Sequence, residues 1–346
     1  MTSALPVRSR IAAVATYLPP TTRSAGETEQ RLRCGNPHLH LATGLVARLT
    51  GVQRVHVRPD GWQTSDLAAE AAREALERSP GSVDLLIFAS ASQDMIEPAT
   101  SHIVAAKLGL DCPVMDVKNA CNSILNALQV ADALIATGQY NRVLVAGGEE
   151  PSHAVRWALA DQAQFQRSFA GYTMSDAGAA VVLERVEAAD ATSGRMPGPG
   201  ILGSRFIARS EHWAIGTLGT GGSVDPHAEN GSYFDMDGAA LQRAFTDLGV
   251  GLVDQTIGAL GFTLDELDFI AIHQVALAYH ETIVDVLGID PARTLVTIAE
   301  HGNLASVTLP LQLQLAQDRG LVGPGSLVAL VGLAGGISLG AMVVRL

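Results

Sequence analysis

Apolar and polar positions along this chain follow two alternating patterns. Short apolar runs typical of buried strands lie at 84–90, 141–148 and 267–274. Between such runs, apolar residues recur at the three-to-four-residue spacing of helices that bury one face. Strands that alternate with helices in this way predict an α/β protein in which helices pack on sheets.

The same order of predicted elements occurs twice. In the first half, a strand at 114–117 leads to Cys121, a helix, and strands at 142–148 and 176–186. In the second half, the corresponding segments are a strand at 294–299, the tripeptide HGN at 301–303, a helix at 305–320, and strands at 326–332 and 339–346. This repetition predicts a duplicated architecture in which Cys121 and Asn303 occupy nearly equivalent strand-to-helix turns.

A segment at 186–200 is rich in small residues, glycine and proline, and is predicted to be a linker. We therefore expect one half to span 1–186 and the other to span 201–346. The long uncharged stretch at 326–344 is interrupted by glycines, so it predicts two strands rather than a membrane helix. The apolar run at 11–19 predicts a first core strand rather than a signal peptide.

Composition narrows the class of protein. The chain has 346 residues, 47% hydrophobic and 17% charged, which is enough apolar material for a large buried core. Its net charge of −12 argues against a nucleic-acid partner, and an acidic carrier protein would need a local basic patch. The cysteines Cys34, Cys112 and Cys121 lack metal-type spacing, so we expect a reduced, cytoplasmic protein without a bound metal.

Cys121 is the strongest candidate for chemistry. The pattern places it in the first turn of the helix that follows strand 114–117. Unpaired N–H groups and the helix dipole at such a position can lower a thiol pKa from about 8.5 to between about 3.5 and 7.5. This predicts a nucleophile, although a free cysteine is also commonly just a small buried core residue.

Several motifs together resemble the ketoacyl-acyl-carrier-protein synthase III family of thiolase-like condensing enzymes. They are TGVQRVHV at 50–57, TSDLAAEAAREAL at 64–76, DVKNACNSI at 116–124, SDAGAAVVL at 175–183, FDMDGAALQRAF at 234–245, HQ at 273–274, HGNLAS at 301–306 and GLAGGISLGAMVVRL at 332–346. The resemblance implies a thiolase fold, in which duplicated βαβαβαββ halves form a five-layered α-β-α-β-α sandwich. It also implies a homodimer.

The resemblance further implies a set of site residues. Cys121, His273 and Asn303 match the family's catalytic triad, and the N–H groups of Cys121 and Gly335 match its oxyanion hole. From residue type alone, a structural role is the commoner one for two of these residues, His273 as a buried histidine at the end of a strand and Asn303 as a helix N-cap. Gly335 is equally compatible with a tight turn between two strands. Four further residues are candidates for the substrate pocket: Gln274, Ala276, Met95 and Ile96.

The chain departs from the family pattern where substrates are expected to dock. Ala276 and Ala278 replace an Asn and an Arg, and Leu45 and Leu49 replace a Trp and an Arg that hold CoA. About twenty extra residues lie near 151–174. Their aromatic residues can line an acyl tunnel or, as we favour, pack at an interface; they are Trp157, Phe165, Phe169 and Tyr172.

These residues lead to three hypotheses for function. In the first, an acyltransferase loads a non-aminoacyl group from CoA or a phosphopantetheine carrier onto Cys121 and condenses it with a malonyl thioester in polyketide or other specialised metabolism. In the second, Cys121 passes the acyl group to a hydroxyl or amine with His273 as general base. In the third, the chain is a non-catalytic partner subunit. No permanently bound cofactor, nucleic acid or membrane contact is expected.

Overall fold

Two mixed β-sheets form the centre of the molecule. The computed structural model describes residues 7–187, 198–219, 221–227 and 232–346. The strands are β1 (Val7–Tyr17), β2 (Thr22–Ser24), β3 (Arg54–His56), β4 (Leu85–Ala89), β5 (Val114–Val117), β6 (Arg142–Glu149), β7 (Ala177–Glu187), β8 (Gly200–Ala208), β9 (Gly216–Thr217), β10 (Asp235–Met236), β11 (Phe269–Ile272), β12 (Leu327–Ala334) and β13 (Ser338–Arg345).

Helices cover both sheets and also lie between them. They are α1 (Ala25–Gly35), α2 (Leu45–Thr50), α3 (Thr64–Arg78), α4 (Thr100–Leu108), α5 (Ser123–Ala136), α6 (Gln162–Ser168), α7 (Gly238–Leu248), α8 (Gly251–Ala259), α9 (Leu277–Leu287), α10 (Ile298–His301) and α11 (Thr308–Asp318). None of these helices is both long and apolar enough to cross a lipid bilayer.

The two sheets have matching strand orders. The first is β1-β7-β6-β4-β5, and the second, read from its corresponding edge, is β8-β13-β12-β11. In each sheet the first three strands pair antiparallel, and the next strand pairs in parallel. The predicted strands at 84–90, 142–148, 176–186, 267–274, 326–332 and 339–346 are therefore confirmed, as is the first core strand at 11–19.

Successive side chains of β4 point to opposite faces of the first sheet and so belong to two different layers. Leu85 and Ile87 pack into a central core with side chains of α5, α11 and the second sheet. Leu86 and Phe88 point the other way and pack against α3. A strand covered on both faces must be apolar throughout, which is why its sequence is a continuous apolar run. A third core joins the outer face of the second sheet to α7, α8 and α9. The predicted five layers are confirmed.

The predicted strand at 294–299 is wrong. The segment has no regular structure up to Thr297, and α10 begins at Ile298. The backbone of this segment hydrogen-bonds to the side chain of Gln274 and not to a neighbouring strand. Gln274 Oε1 accepts the N–H groups of Thr297 and Ile298 at 2.9 and 3.0 Å, and Nε2 donates to Leu295 O at 2.6 Å. The apolar pattern TLVTIA carried no sign of this long-range partner.

The outer edge of β11 is also closed to a further strand. Gln312 on α11 accepts the N–H of Ile272 at 2.9 Å and donates to its carbonyl at 2.7 Å. These are the groups that a neighbouring strand would have used. The second half therefore has four sheet strands where the first has five, so the duplication is incomplete by one strand.

The predicted linker at 186–200 lies largely outside the described residues, which end at 187 and resume at 198. Strand β7 ends at Glu187, and β8 begins at Gly200. Each of the two large sheets is made from strands on one side of this segment. The division into 1–186 and 201–346 remains a prediction.

Candidate active site

A cavity of about 1020 Å³ lies where the two halves meet. Cys121, His273 and Asn303 all line it, although they come from three separate places in the sequence. Most of the remaining wall is apolar. It includes Leu45, Leu49, Phe165, Phe169, Phe234, Met236, Leu241, Phe245, Tyr279 and Leu333.

Cys121 lies in a tight turn between β5 and α5. Ala120, just before it, has φ +46°, in the left-handed region. Helix α5 begins at Ser123, so Cys121 precedes the helix and does not lie in its first turn as the sequence predicted. The N–H groups of Asn122 and Ser123 bond to backbone oxygens of the same turn, at 2.9 and 3.0 Å. They are therefore not free to stabilise a thiolate.

The expected low pKa of Cys121 is also wrong. Burial, followed by the negative charge of Glu149, raises the pKa of Cys121 to about 12. The backbone N–H of Cys121 opposes this rise only in part. The thiol is partly accessible, and it lines the cavity. It is therefore a protonated thiol at neutral pH, and its proton must leave as the sulfur attacks.

His273 follows β11 and is 1% exposed. Its N–H donates to Val331 O at 2.9 Å, which fixes the backbone, and its Nδ1 lies 3.1 Å from Thr308 Oγ1. Nε2 is buried and has no hydrogen-bond partner in the described part of the chain. Burial lowers the pKa of His273 to about 4, so the imidazole is neutral at pH 7. The neutral ring thus offers Nε2 to a ligand in the cavity.

Asn303 is held by backbone and side-chain contacts. Its N–H donates to Thr173 O at 2.8 Å, and its carbonyl accepts the N–H of Ser175 at 2.9 Å. Its side-chain Oδ1 accepts the N–H of Ala305 at 2.9 Å. This contact resembles the capping that residue type alone suggested, but α11 begins only at Thr308. With the oxygen occupied, the amide N–H₂ remains for a ligand.

Glu149, which no sequence motif singled out, also lines the cavity. It ends β6 and is 1% exposed. Its carboxylate accepts hydrogen bonds from the Ser306 hydroxyl at 2.5 Å, the Ala91 N–H at 3.1 Å and the Ser92 hydroxyl at 3.3 Å. Burial raises the pKa of Glu149 despite these donors. The only sequence signal was an acidic residue directly after a buried apolar strand.

Other predicted pocket residues divide into two groups. Ala276 and Ala278 line the cavity, as do Leu45 and Leu49. The sequence resemblance predicts that these four positions depart from the family pattern, and all four contribute to the cavity wall.

Gln274, Met95 and Ile96 do not line the cavity. Gln274 is 1% exposed, and its amide is used to hold the segment before α10. Met95 and Ile96 are 49% and 63% exposed, in the loop after β4. Within the described chain these three residues therefore lie away from this cavity, and their role in a substrate pocket stays a prediction.

Gly335 lies in the turn between β12 and β13 and lines the cavity. Gly335 itself is not among the glycines with a positive φ. The positive φ, +117°, is instead at Gly336, and a Cβ on Gly335 would meet no atom within 4 Å. Glycine at 335 keeps the cavity open rather than relieving backbone strain.

The aromatic residues of the 151–174 segment have two roles. Phe165 and Phe169 line the cavity. Phe165 and Tyr172 are buried in a small core with Leu32, and Trp157 packs against it. These aromatic rings therefore pack within the chain and form part of the cavity wall, and the interface role favoured from the sequence stays a prediction.

No group of three or more His, Cys, Asp or Glu side chains in the described ranges is arranged to hold a metal ion.

Comparison with known proteins gives consistent matches. A family model described as 3-oxoacyl-[acyl-carrier-protein] synthase III matches residues 115–196, and that family's C-terminal model matches 257–346. β-Ketoacyl-[acyl-carrier-protein] synthase III of Neisseria meningitidis serogroup C is 30% identical over 343 residues, covering 97% of this chain and 99% of the relative. The enzyme of the same name from Rhizorhabdus wittichii is 30% identical over 305 residues, covering 87% and 89%.

Solved structures of OleA from Xanthomonas campestris have the same overall architecture. A His-to-Asn variant superposes with a TM-score of 0.86 at 25% identity, covering 99% of this chain and 100% of that one. A Cys-to-Ser variant with bound lauric acid and lauroyl-CoA gives 0.84 at 26% identity, covering 98% and 99%.

Proposed function

Because this chain belongs to the β-ketoacyl-[acyl-carrier-protein] synthase III family and has the thiolase fold, we propose that it is an acyltransferase that works through Cys121. It takes an acyl group from a CoA or carrier-protein thioester and condenses it with a malonyl thioester. One observation carries this proposal: Cys121, His273 and Asn303 line the same largely apolar cavity.

The first step is transfer of the acyl group to sulfur. Cys121 Sγ attacks the thioester carbonyl, the donor thiol leaves with the proton lost from Cys121, and an acyl-cysteine remains. The N–H groups of Cys121 and Gly335 are assigned to the oxyanion that forms. The high pKa of Cys121 means that only a small fraction of the enzyme carries a thiolate at neutral pH. Loading is therefore expected to accelerate as pH rises.

The second step forms the new carbon–carbon bond. Malonyl thioester loses carbon dioxide, and the electron pair of the broken bond gives an enolate. His273 Nε2–H and the Asn303 amide donate hydrogen bonds to its oxygen, and its carbon attacks the acyl-cysteine carbonyl. The carbon–sulfur bond breaks, a β-ketoacyl thioester leaves, and the Cys121 thiolate takes up a proton from solvent to restore the resting thiol. The neutral state of His273 and the occupied Oδ1 of Asn303 support these donor roles.

The shape and polarity of the cavity favour an extended apolar acyl group. Its volume of about 1020 Å³ is at the upper end of the range of roughly 300–1,000 Å³ for small-molecule sites. Phe165, Phe169 and Phe245 contribute aromatic wall, and Ala276 leaves room beside the chemistry. We propose specialised metabolism, such as polyketide biosynthesis, as the setting.

Transfer of the acyl group to a hydroxyl or amine is the second candidate. It is favoured by one observation, the unpartnered Nε2 of a neutral His273, which can act as a base if the ring carries its proton on Nδ1. In that case no carbon dioxide is released, and the product is an ester or amide.

We also propose that the chain acts as a homodimer. Strand β5 is the outermost strand of the first sheet, and its residues are only partly buried. An uncovered sheet edge is a ready surface for pairing with a second copy. The exposed Met95 and Ile96 offer apolar area for the same contact. Light scattering that gave a monomeric mass at micromolar concentration would oppose this.

The test of function uses enzyme acylated in advance on Cys121. Adding malonyl-CoA or malonyl-carrier protein should release carbon dioxide and a β-keto product. Ester or amide formation with an added alcohol or amine, without carbon dioxide, would support the second candidate instead. Failure to acylate at all would favour a non-catalytic subunit. Cys121→Ala is the inactive control, and Cys112→Ala is the matched control at a second cysteine.

A further inference from the structure

The hydroxyl of Thr308 lies against the ring of His273 in the interior of the protein. The distance from Thr308 Oγ1 to His273 Nδ1 is 3.1 Å, and both residues are at most 2% exposed. Thr308 is the first residue of α11, and its branched side chain restricts rotation about χ1. The His273 backbone is tied to Val331. Neither group can easily move away from the other.

The Thr308 hydroxyl has one proton and two neighbours that can accept it. One is His273 Nδ1, and the other is Ala305 O, 3.0 Å away. Ala305 O already accepts the backbone N–H of Thr308. Nδ1 has no second partner within the ranges that the structure describes. Donation to Nδ1 gives this nitrogen its one partner among the described residues, whereas Ala305 O keeps the backbone N–H of Thr308 as a donor in either case.

We propose that Thr308 fixes the tautomer of His273. Its hydroxyl donates to Nδ1, so the ring proton resides on Nε2, the nitrogen left for a ligand in the cavity. A neutral imidazole carries one proton, and the partner at one nitrogen decides which nitrogen holds it. Thr308 acts through His273 and is a positioning residue.

This inference rests on the proposed function and deepens it. Nε2–H is a donor, as the enolate oxygen of the condensation requires. The opposite tautomer presents a lone pair, as transfer to a hydroxyl or amine requires. The direction of the Thr308 hydroxyl proton therefore sets the ring tautomer that distinguishes the two candidate reactions. Donation from Thr308 to Nδ1 favours condensation.

The direct test is nuclear magnetic resonance of protein labelled with ¹⁵N in the histidine rings. The His273 signals are assigned as those missing from a His273→Asn variant. We expect Nε2 to have the shift and proton coupling of a protonated ring nitrogen, and Nδ1 those of an unprotonated one. Protonated Nδ1 in the wild-type protein would overturn the proposal without any variant or substrate.

Two variants add a matched comparison. Thr308→Val keeps the shape and removes the hydroxyl, and Thr308→Ser keeps the hydroxyl. Thr308→Val should move ring protonation toward Nδ1 and slow malonyl decarboxylation on the acylated enzyme by about tenfold or more, while acyl loading changes less than about twofold. Thr308→Ser should restore both the spectrum and the rate. Equal spectra for Thr308→Val and wild type would overturn the proposal.

The two proposals fail in different ways. If the wild-type enzyme releases no carbon dioxide from malonyl thioester, the proposed condensation fails, but the ring spectra still decide the role of Thr308. If condensation proceeds and the Thr308→Val spectrum and decarboxylation rate are unchanged, the function stands and the Thr308 proposal fails.

Discussion

Asn122 Nδ2 lies 3.0 Å from Ser338 Oγ, a contact between residues 216 positions apart. Asn122 follows Cys121, and Ser338 follows the glycine turn that contains Gly335. The contact therefore joins the turn of the candidate nucleophile to the turn that carries the second proposed oxyanion donor. The site depends on the relative position of the two halves.

A methyl group on Gly332 should disturb this contact. A Cβ at that position would lie 2.0 Å from Asn122 Oδ1, and Asn122 is fully buried. Overpacking of this kind typically costs about 1–3 kcal/mol. We expect Gly332→Ala to lower the free energy of unfolding in urea and to slow acylation of Cys121.

Gly323→Ala is the control, because a Cβ there meets no atom within 4 Å. It should leave the free energy of unfolding within about 0.5 kcal/mol of wild type. Equal stability and equal acylation rates for the two variants would show that the turn tolerates displacement of Asn122.

Removing the charge of Glu149 should make Cys121 more acidic. The Glu149 carboxylate raises the pKa of Cys121, so Glu149→Gln should lower that pKa. Thiolate absorbance and iodoacetamide labelling followed against pH give the measurement, with labelling at pH 8 expected to be several-fold faster than in wild type.

Glu150→Gln is the matched control for this change. Glu150 is the next residue and pairs with Arg58, but it does not line the cavity. Its substitution should leave the titration of Cys121 unchanged. If Glu150→Gln and Glu149→Gln shift the titration equally, the effect is not the local charge beside the sulfur.

Much of the fold could be predicted from local pattern. A strand covered on both faces, such as β4, is continuously apolar, so strands of this kind are visible in the sequence. The matched order of elements also revealed the duplication. The failed strand at 294–299 has the same apolar character, but its N–H groups bond to a side chain more than twenty positions away. Such a partner leaves no periodic signal.

For the candidate site, the identity of the main residues could be predicted from sequence, but their pKa values and contacts could not. Cys121, His273 and Asn303 were predicted because each stands in a motif that resembles the family pattern, and the structure brings all three to one cavity. The high pKa of Cys121 was not predicted, because it depends on how the backbone amides of the turn are paired and on the charge of Glu149. Glu149 and Thr308 were missed for the same reason, since each acts through contacts between distant segments.

Gln274 should matter for stability rather than for substrate binding. Its buried amide bonds to Leu295, Thr297 and Ile298. Gln274→Ala leaves these backbone groups unsatisfied, at a cost of roughly 1–3 kcal/mol for each group that finds no water. Urea unfolding should show the loss, whereas the exposed Gln139→Ala should change stability by less than about 0.5 kcal/mol. An unchanged midpoint for Gln274→Ala would contradict this role.

Stability should fall in mild acid. Burial lowers the pKa of both His273 and His301 to about 4, whereas an unfolded histidine titrates near 6.5. Between those values the unfolded chain binds more protons, so the buried His273 removes up to about 1.4 kcal/mol per pH unit as the pH falls, and the more exposed His301 removes less. Their contribution is complete above about pH 6.5 and lost by about pH 4.

Urea unfolding between pH 8 and pH 4 measures this loss, and His273→Asn should reduce its slope. A slope that is identical in His273→Asn and wild type would mean that His273 titrates normally in the folded protein.

Intact-protein mass spectrometry tests the central claim most directly. Wild-type protein is incubated with a panel of acyl-CoA and acyl-carrier donors, beside Cys121→Ala, Cys112→Ala and Cys34→Ala. We predict a mass increase of one acyl group in wild type and in the last two variants, and none in Cys121→Ala. An acyl adduct that persists in Cys121→Ala, or that disappears in either control, would contradict the assignment of Cys121 as the acyl-carrying nucleophile.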